Sequence, residues 1–282
     1  MSLADDVGAA AGSPVTASRR VGGGSINEAY AIELADGRRA FVKTRADAPE
    51  DEYASEAASL AWLAEPRAVR VPAVIAHGPS FLALEWIESG SLSADGEEEL
   101  GRGLAGLHEA GAPSFGAGRA LRIGPLTFDA SPCEDWPGFY AERLVRPLIA
   151  PARDRGALSA AGAEAVARVC DRMGELAGPA EPPARLHGDL WSGNVLGGAD
   201  GRAWLIDPIS YGGHREVDLA MLRLFGSPSR RFEAAYEDVA PLADGHQERV
   251  PLYQLFPLMV HTVLFGGGYG ASAEAAARRF AG

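Results

Sequence analysis

The pattern of apolar and polar residues in the first third of the chain predicts β-strands, with alternation over 28–34 and strand-like β-branched residues in 15–21. The expected strands are 15–21, 28–34, 39–44, 72–78 and 80–87. The turn Asp36–Gly37 between the second and third strands predicts a hairpin. Segment 50–65 instead has apolar residues at helical spacing and acidic residues in its first turn. We therefore expect a small strand-rich lobe with one main helix.

After the polar stretch 88–96 the apolar spacing becomes helical. The predicted helices are 97–110, 136–150, 159–178, 215–225, 229–239, 246–265 and 271–281. Only 185–207 is expected to interrupt them with short strands and loops. The pattern predicts an N-terminal lobe of residues 1–88, a hinge near 85–93, and a larger helical lobe of residues 89–282. A cleft between two lobes is a natural ligand site.

Charge and cysteine usage narrow the class of protein. The formal net charge of -12 argues against a nucleic-acid-binding protein, which normally carries a basic face. Cys133 and Cys170 form neither a disulfide framework nor a metal motif. The acidic start lacks the apolar core of a signal peptide, and segment 252–265 is too short to span a membrane. We expect a cytoplasmic monomer or weak homodimer with no nucleic-acid or membrane partner.

Glycines follow the first strand, at Gly22, Gly23 and Gly24, with Ser25 after them. Their missing side chains allow a backbone to approach a phosphate closely. An ordinary hairpin turn has the same composition, and the loop lacks the Gly-Lys-Ser/Thr ending of a P-loop. The loop alone therefore decides nothing.

Lys43 is the only lysine in the chain. A compositional bias toward arginine explains why lysine is absent from the other positions, but it does not explain why a lysine is present at position 43. A compact ammonium group on a strand suits the α- and β-phosphates of a nucleotide, and Glu56 on the following helix is its expected partner. A solvated surface lysine is the alternative.

Two later segments supply the remaining parts of a phosphoryl-transfer site. In "LHGDLWSGNVL" (186–196), Asp189 and Asn194 have the spacing of a kinase catalytic loop, and His187 precedes Asp189 by two residues. Asp207 follows an apolar strand. Such a site needs a carboxylate to accept the proton of the attacking hydroxyl and oxygen ligands for Mg²⁺. Polar turns could explain each segment singly, but the order of all the pieces favours a kinase.

The chain resembles the fructosamine kinase (ketosamine-3-kinase) family from about residue 21 to residue 280. The most specific matches are the "DW..FY" pattern of "DWPGFYAERLVRPL", the tryptophan of "LHGDLWSGNV" and the closing "LYQLF…FGGGY", and "DPISYGGHREVDLAM" also matches. The resemblance implies the α+β, two-lobed protein-kinase-like fold of the aminoglycoside-phosphotransferase branch. This fold has a small antiparallel-sheet N-lobe with one main helix and a larger, mainly helical C-lobe.

The resemblance also implies roles for residues. The cofactors would be ATP and Mg²⁺, with Asp189 as catalytic base. The predicted ATP-binding residues are Gly22, Gly23, Gly24, Ser25, Lys43, Glu56, Glu85, Trp86 and Ile87, the last three through the backbone. The predicted metal ligands are Asn194 and Asp207, and the predicted substrate residues are Trp191, His214 and Glu216. Three alternatives stay open: Trp191 as a core aromatic residue, and His214 and Glu216 as caps of a helix. His108 is expected to be structural and Asp218 to brace the catalytic loop.

The implied activity is ATP-dependent phosphorylation of the 3-hydroxyl of ketosamines, free or protein-bound, which leads to deglycation. A kinase of another amino sugar or amino alcohol is the nearest alternative. A non-catalytic nucleotide-binding module is a further one, although such a protein would usually have lost at least one of Lys43, Asp189, Asn194 and Asp207.

Overall fold

The structure is a computed structural model that describes residues 2–22, 27–49 and 51–282. The chain divides into two compact units. The first comprises the residues up to Leu100 together with Asn194–Pro208, and the second comprises Gly101–Gly193 and Ile209–Gly282. The lobe boundary expected between residues 88 and 89 stays a prediction, since compactness does not define a functional lobe.

The first unit contains both strands and helices, and helices dominate the second. In chain order, the strands are β1 (Val15–Val21), β2 (Glu28–Leu34), β3 (Arg39–Thr44), β4 (Val74–Gly78), β5 (Phe81–Glu85), β6 (Leu121–Ile123), β7 (Leu126–Phe128), β8 (Ala184–Leu186), β9 (Val195–Gly197), β10 (Ala203–Leu205) and β11 (Tyr211–Gly213). The α-helices are α1 (Leu3–Ala11), α2 (Glu52–Ala64), α3 (Ala94–Glu109), α4 (Trp136–Gly138), α5 (Ile149–Asp154), α6 (Ala160–Asp171), α7 (Met173–Leu176), α8 (Glu216–Leu222), α9 (Arg230–Val239), α10 (His246–Tyr253), α11 (Leu255–Phe265) and α12 (Tyr269–Arg278). A π-helix (Phe139–Val145) and a 3-10 turn (Arg146–Leu148) connect α4 to α5.

The first unit is built on a five-stranded antiparallel sheet in the order β1-β2-β3-β5-β4. The bounds of β1, β2 and β3 are those predicted from the sequence. Gly37 in the β2–β3 turn has a φ of 87°, which explains why glycine follows Asp36 there.

Each face of this sheet is covered by one helix. Val7 of α1 packs with Ile32 and Val42 on one face. Tyr53 of α2 packs with Leu82 on the other. Helix α1 was not predicted, although Ser2 and Asp5 form the capping box that opens it.

The second unit contains a large apolar core and more strand than expected. The prediction that only 185–207 interrupts the helices is wrong, because β6 and β7 form a hairpin and β11 pairs with β8. The single helix predicted over 246–265 is also divided. Pro257 has no N–H to donate to the carbonyl of Tyr253, the residue at which α10 ends. Among the described residues, no helix combines the length and apolar character needed to cross a bilayer.

Candidate active site

Lys43 is buried in the first unit between two carboxylates. It lies on β3, the central strand of the sheet, and its side chain is 8% exposed. Its Nζ atom lies 2.5 Å from Oε1 of Glu56 and donates a 2.8 Å hydrogen bond to Oδ1 of Asp207. Glu56 shares a helical face with the buried residues Tyr53 and Leu60, three positions before and four positions after it. The only lysine is therefore an internal cation rather than a solvated one.

Burial and charge act in opposite directions on this lysine. Burial alone would lower the pKa of Lys43, but the carboxylates of Glu56 and Asp207 outweigh it and raise that pKa above its ordinary value. Burial also raises the pKa of Glu56, with Lys43 opposing this effect and Asp207 reinforcing it. When all three groups are ionised, the cluster keeps a surplus negative charge that a further cation could offset.

Asp207 and Asn194 lie at the same end of the β9–β10 hairpin. Asp207 follows β10 and has a φ of 54°, in the left-handed region that non-glycine residues rarely adopt. Its side chain is 53% exposed. The N–H of Ile206 donates to the carbonyl oxygen of Asn194 at 3.1 Å, which fixes the two ends of the hairpin together. This hydrogen bond holds the backbone of Asn194 beside that of Ile206, the residue before Asp207, and both side chains are of a type that can offer oxygen ligands to a hard cation.

The segment predicted to meet adenine continues from β5. The N–H of Glu85 donates to the carbonyl oxygen of Ala73 at 2.8 Å, and that of Trp86 donates to the carbonyl oxygen of Arg39 at 3.2 Å. The guanidinium group of Arg39 also lies over the Trp86 ring, 5.0 Å from its centroid. A nucleotide that binds this segment through its backbone would therefore use carbonyl oxygens or the N–H of Ile87.

The glycine-rich loop is described only at its start. Gly22 is exposed, and apart from its chain neighbours no described residue has an atom within 4 Å of the position that a Cβ would occupy there. Gly23, Gly24 and Ser25 lie outside the described residues, so their predicted role stays a prediction.

In the second unit, a buried carboxylate braces the loop that carries Asp189. Asp218 is fully buried on α8, and its oxygens accept hydrogen bonds from the backbone N–H groups of His187 (2.7 Å) and Gly188 (2.9 Å). Nε2 of His108 lies 3.2 Å from the same carboxylate. Burial alone would raise the pKa of Asp218, but these hydrogen bonds and the nearby histidines lower it. The bracing role predicted for Asp218 and the structural role predicted for His108 are both confirmed.

Glycine is required at position 188, directly before Asp189. Its φ is 84°, and a Cβ there would lie 2.1 Å from the carbonyl oxygen of Ile209. Asp189 itself is half-buried, and its carbonyl oxygen accepts a 3.1 Å hydrogen bond from the N–H of Trp191. The Asp189 loop is thus tightly folded.

Trp191 is half-buried rather than part of the core. Its indole lies against Gly193, where a Cβ would lie 2.2 Å from Cη2 of the ring. Phe225 contacts the indole edge-on, with 5.9 Å between ring centroids. This partial exposure is compatible with the predicted contact to a sugar, which stays a prediction.

His214 and Glu216 are buried and engaged with other residues of the second unit. The His214 ring stacks on Tyr253 with 5.4 Å between centroids, and burial lowers its pKa. Nδ1 of His214 accepts a 3.3 Å hydrogen bond from the N–H of Glu216. The Glu216 carboxylate forms a two-pronged ion pair with Arg249 at 2.6 and 2.9 Å. The substrate roles of His214 and Glu216 stay predictions.

Two participants in these contacts were not anticipated from the sequence. Arg249 lies 33 residues from Glu216, too far along the chain for any local pattern to pair them. Phe225 lies in the loop after α8. The only sequence feature that could have pointed to it is that an aromatic residue precedes the loop-forming Gly226, Ser227 and Pro228, where a polar residue is usual.

Comparison with known proteins gives a family-level result. A family model described as fructosamine kinase matches residues 2–281. A protein of Synechocystis named as a probable ketoamine kinase is 36% identical, over 96% of this chain and 93% of its own length. The chloroplastic protein-ribulosamine 3-kinase of Arabidopsis thaliana is 33% identical, over 92% of this chain and 81% of its own length.

Solved structures agree with this result. The crystal structure of a fructosamine-3-kinase homologue from Thermobifida fusca superposes with a TM-score of 0.93 and 44% identity, covering 99% of this chain and 98% of that one. The choline kinase LicA from Streptococcus pneumoniae has a TM-score of 0.61 at 16% identity, covering 94% of this chain and 93% of its own. At that identity the likeness concerns the fold alone, and it confirms the predicted α+β kinase-like class.

Proposed function

Because the chain belongs to the fructosamine kinase family, we propose that this protein transfers the γ-phosphoryl group of ATP to the 3-hydroxyl group of ketosamines. A ketosamine is a sugar joined to an amine through a ketoamine linkage. Phosphorylation at this position gives an unstable product that releases the amine, so the activity reverses glycation. The observation that carries the proposal is the burial of the only lysine between Glu56 and Asp207.

In this proposal Lys43 holds the nucleotide phosphates. Its charge is retained at neutral pH because the neighbouring carboxylates raise its pKa. Glu56 is only 16% exposed and keeps the ammonium group in one position. A preformed cation of this kind binds phosphates without reorganising during the reaction.

Asn194 and Asp207 are the proposed Mg²⁺ ligands. The pair offers a carboxylate and an amide, and the exposed Asp207 carboxylate leaves room for a cation and its water molecules. Within the described ranges no group of three or more His, Cys, Asp or Glu could hold a metal, which suits an ion that takes most of its ligands from phosphates and water. When bound, Mg²⁺ would neutralise the charge that develops on the phosphates.

Asp189 is the proposed base for the 3-hydroxyl group. A carboxylate in this role must be held in a fixed position relative to the attacking oxygen. The hydrogen bonds that Asp218 accepts from the adjacent backbone provide that rigidity. Trp191, two residues further, would present its ring to the sugar.

A substrate panel tests the proposal. ATP consumption is measured with fructosyl-lysine, ribulosyl-lysine, an aminoglycoside and an amino alcohol, using the Asp189→Asn variant as the control. We expect turnover with a ketosamine and a fall of about 10²–10⁴-fold in the variant. Turnover of only the aminoglycoside or the amino alcohol would refute the ketosamine assignment. Equal activity in the variant would remove Asp189 from its role.

A further inference from the structure

Five rings form a continuous row on the second unit, here called the aromatic strip. It comprises Trp191, Phe225, His261, Phe265 and Tyr269. The centroid separations are 5.9 Å from Trp191 to Phe225, 5.2 Å from Phe225 to His261, 5.4 Å from His261 to Phe265 and 5.0 Å from His261 to Tyr269. The strip therefore begins at the residue proposed to face the sugar and extends to the start of α12.

The strip is open to solvent at two of its rings. Phe225 is 39% exposed and Phe265 is 65% exposed. In the part of the chain that the structure describes, Val239 is the only other large apolar residue exposed to this degree. Gly266 and Gly267 have φ angles of 66° and 61°. Apart from each glycine's chain neighbours, no described residue has an atom within 4 Å of the position that a Cβ would occupy there. The backbone directly after Phe265 is thus uncovered by other parts of the described chain.

Resting on the function proposed above, we propose that the aromatic strip binds the amine side of the substrate. The occupant is the side chain of the lysine residue that carries the sugar, including its alkyl chain and its ketoamine nitrogen. Continuity with Trp191 is the reason for this choice, because a substituent on the sugar must leave the active site beside the residue that contacts the sugar.

The chemistry of the strip matches this occupant. The ketoamine nitrogen is a secondary amine that carries a positive charge when protonated, and aromatic faces attract such cations. The methylene chain of lysine gains further contact area against the rings. Nδ1 of His261 donates a 2.7 Å hydrogen bond to the carbonyl oxygen of Pro257, so the neutral ring has Nε2 as an acceptor. The net charge of -12 is compatible with a cationic amine on this substrate.

The test compares two ketosamines that share one sugar. One is built on Nα-acetyl-lysine and the other on methylamine, which lacks the alkyl chain. We expect the wild-type protein to have the higher kcat/KM for the lysine adduct. Phe265→Ala should reduce the ratio of the two kcat/KM values about threefold to tenfold, which is the range of a cation–aromatic contact plus lost apolar area. Phe265→Tyr should retain the ratio. Val239→Ala, at the exposed apolar position outside the strip, should not change the ratio of the two kcat/KM values.

The outcomes distinguish failure of the proposed subsite from failure of the proposed function. If neither adduct is phosphorylated by the wild-type protein, the proposed function is refuted and the subsite with it. If both adducts are phosphorylated with equal kcat/KM, or if Phe265→Ala leaves the ratio unchanged, the function stands and the subsite alone is refuted. An unchanged ratio together with loss of a dimer on sedimentation of Phe265→Ala would instead identify the strip as a contact between two copies of the chain.

Discussion

Replacing Lys43 by methionine should destabilise the protein in a way that depends on pH. The substitution removes the cation and keeps an apolar chain of similar length, so Glu56 loses its counter-charge. Burial already raises the pKa of Glu56 in the wild-type protein. Without Lys43 that pKa should rise further, since the carboxylate is then both desolvated and near the charge of Asp207.

The structure sets the size of the effect. Removing one partner of a buried ion pair costs about 3–5 kcal/mol. The lower figure applies here because only one of the two carboxylates is left buried without its counter-charge. The Asp207 side chain is 53% exposed and is hydrated by solvent, whereas the Glu56 side chain is 16% exposed and is largely shielded from it. Part of this cost of about 3 kcal/mol is relieved when Glu56 takes up a proton, so the cost appears as a further rise in the pKa of Glu56 in the variant.

The sign of the pH dependence follows from proton binding. Between its unfolded and folded pKa values, Glu56 binds a proton in the folded variant and not in the unfolded chain, so the free energy of unfolding falls as pH rises. The pKa of Lys43 is raised, so its stabilisation of the wild-type protein is complete below its unfolded value of about 10.4 and constant from pH 5 to pH 8. The variant should therefore lie about 3 kcal/mol below the wild type at pH 8, and the difference should narrow toward pH 5.

Urea denaturation followed by far-UV circular dichroism at pH 5, 6, 7 and 8 measures this difference. The double variant Lys43→Met/Glu56→Gln serves as the matched control, because a neutral amide needs no counter-charge. It should recover most of the stability lost at pH 8. A stability difference that is the same at every pH, or a double variant no more stable than Lys43→Met at pH 8, would refute the reasoning.

Three further predictions concern activity and loop stability. Lys43→Arg keeps the charge, but its larger planar group should displace the phosphates and lower kcat/KM by about 100-fold or more in a coupled ATPase assay. Asp218→Asn puts an amide NH₂ group against backbone donors and should cost about 1–3 kcal/mol, seen as a melting temperature lower by several degrees in calorimetry. Gly193→Ala forces the Trp191 ring to move and should raise KM for the ketosamine about threefold to tenfold while KM for ATP stays constant. Unchanged values in any of these assays would contradict the corresponding contact.

The sheet of the first unit was predictable because its signals are local. Alternation of apolar residues and a turn that needs glycine at position 37 determine the bounds of β1, β2 and β3. Helix α1 also had a local signal, the Ser2–Asp5 capping box. It was overlooked because the acidic start was considered only as a possible signal peptide. The division between α10 and α11 traces to Pro257, whose effect depends on which carbonyl lacks a donor rather than on apolar spacing.

Some contacts of the candidate site residues were predictable from the sequence, and the long-range ones were not. The pairing of Lys43 with Glu56 was predictable because Glu56 lies inside the helix that follows β3, away from its start. The pairing of Glu216 with Arg249 links residues 33 positions apart, which no local pattern encodes. The exposure of Phe265 likewise depends on how α11 ends, and apolar character alone would have assigned that residue to the core.

The burial of Lys43 has a consequence for the protein's own susceptibility to sugars. Glycation begins when an unprotonated, accessible amine attacks the carbonyl group of a reducing sugar. The only lysine of this chain is 6% exposed, and two carboxylates keep its amine protonated. Every other long cationic side chain is arginine. The folded chain therefore offers sugars no reactive lysine, so a protein proposed to repair glycated lysines carries none that would itself need this repair.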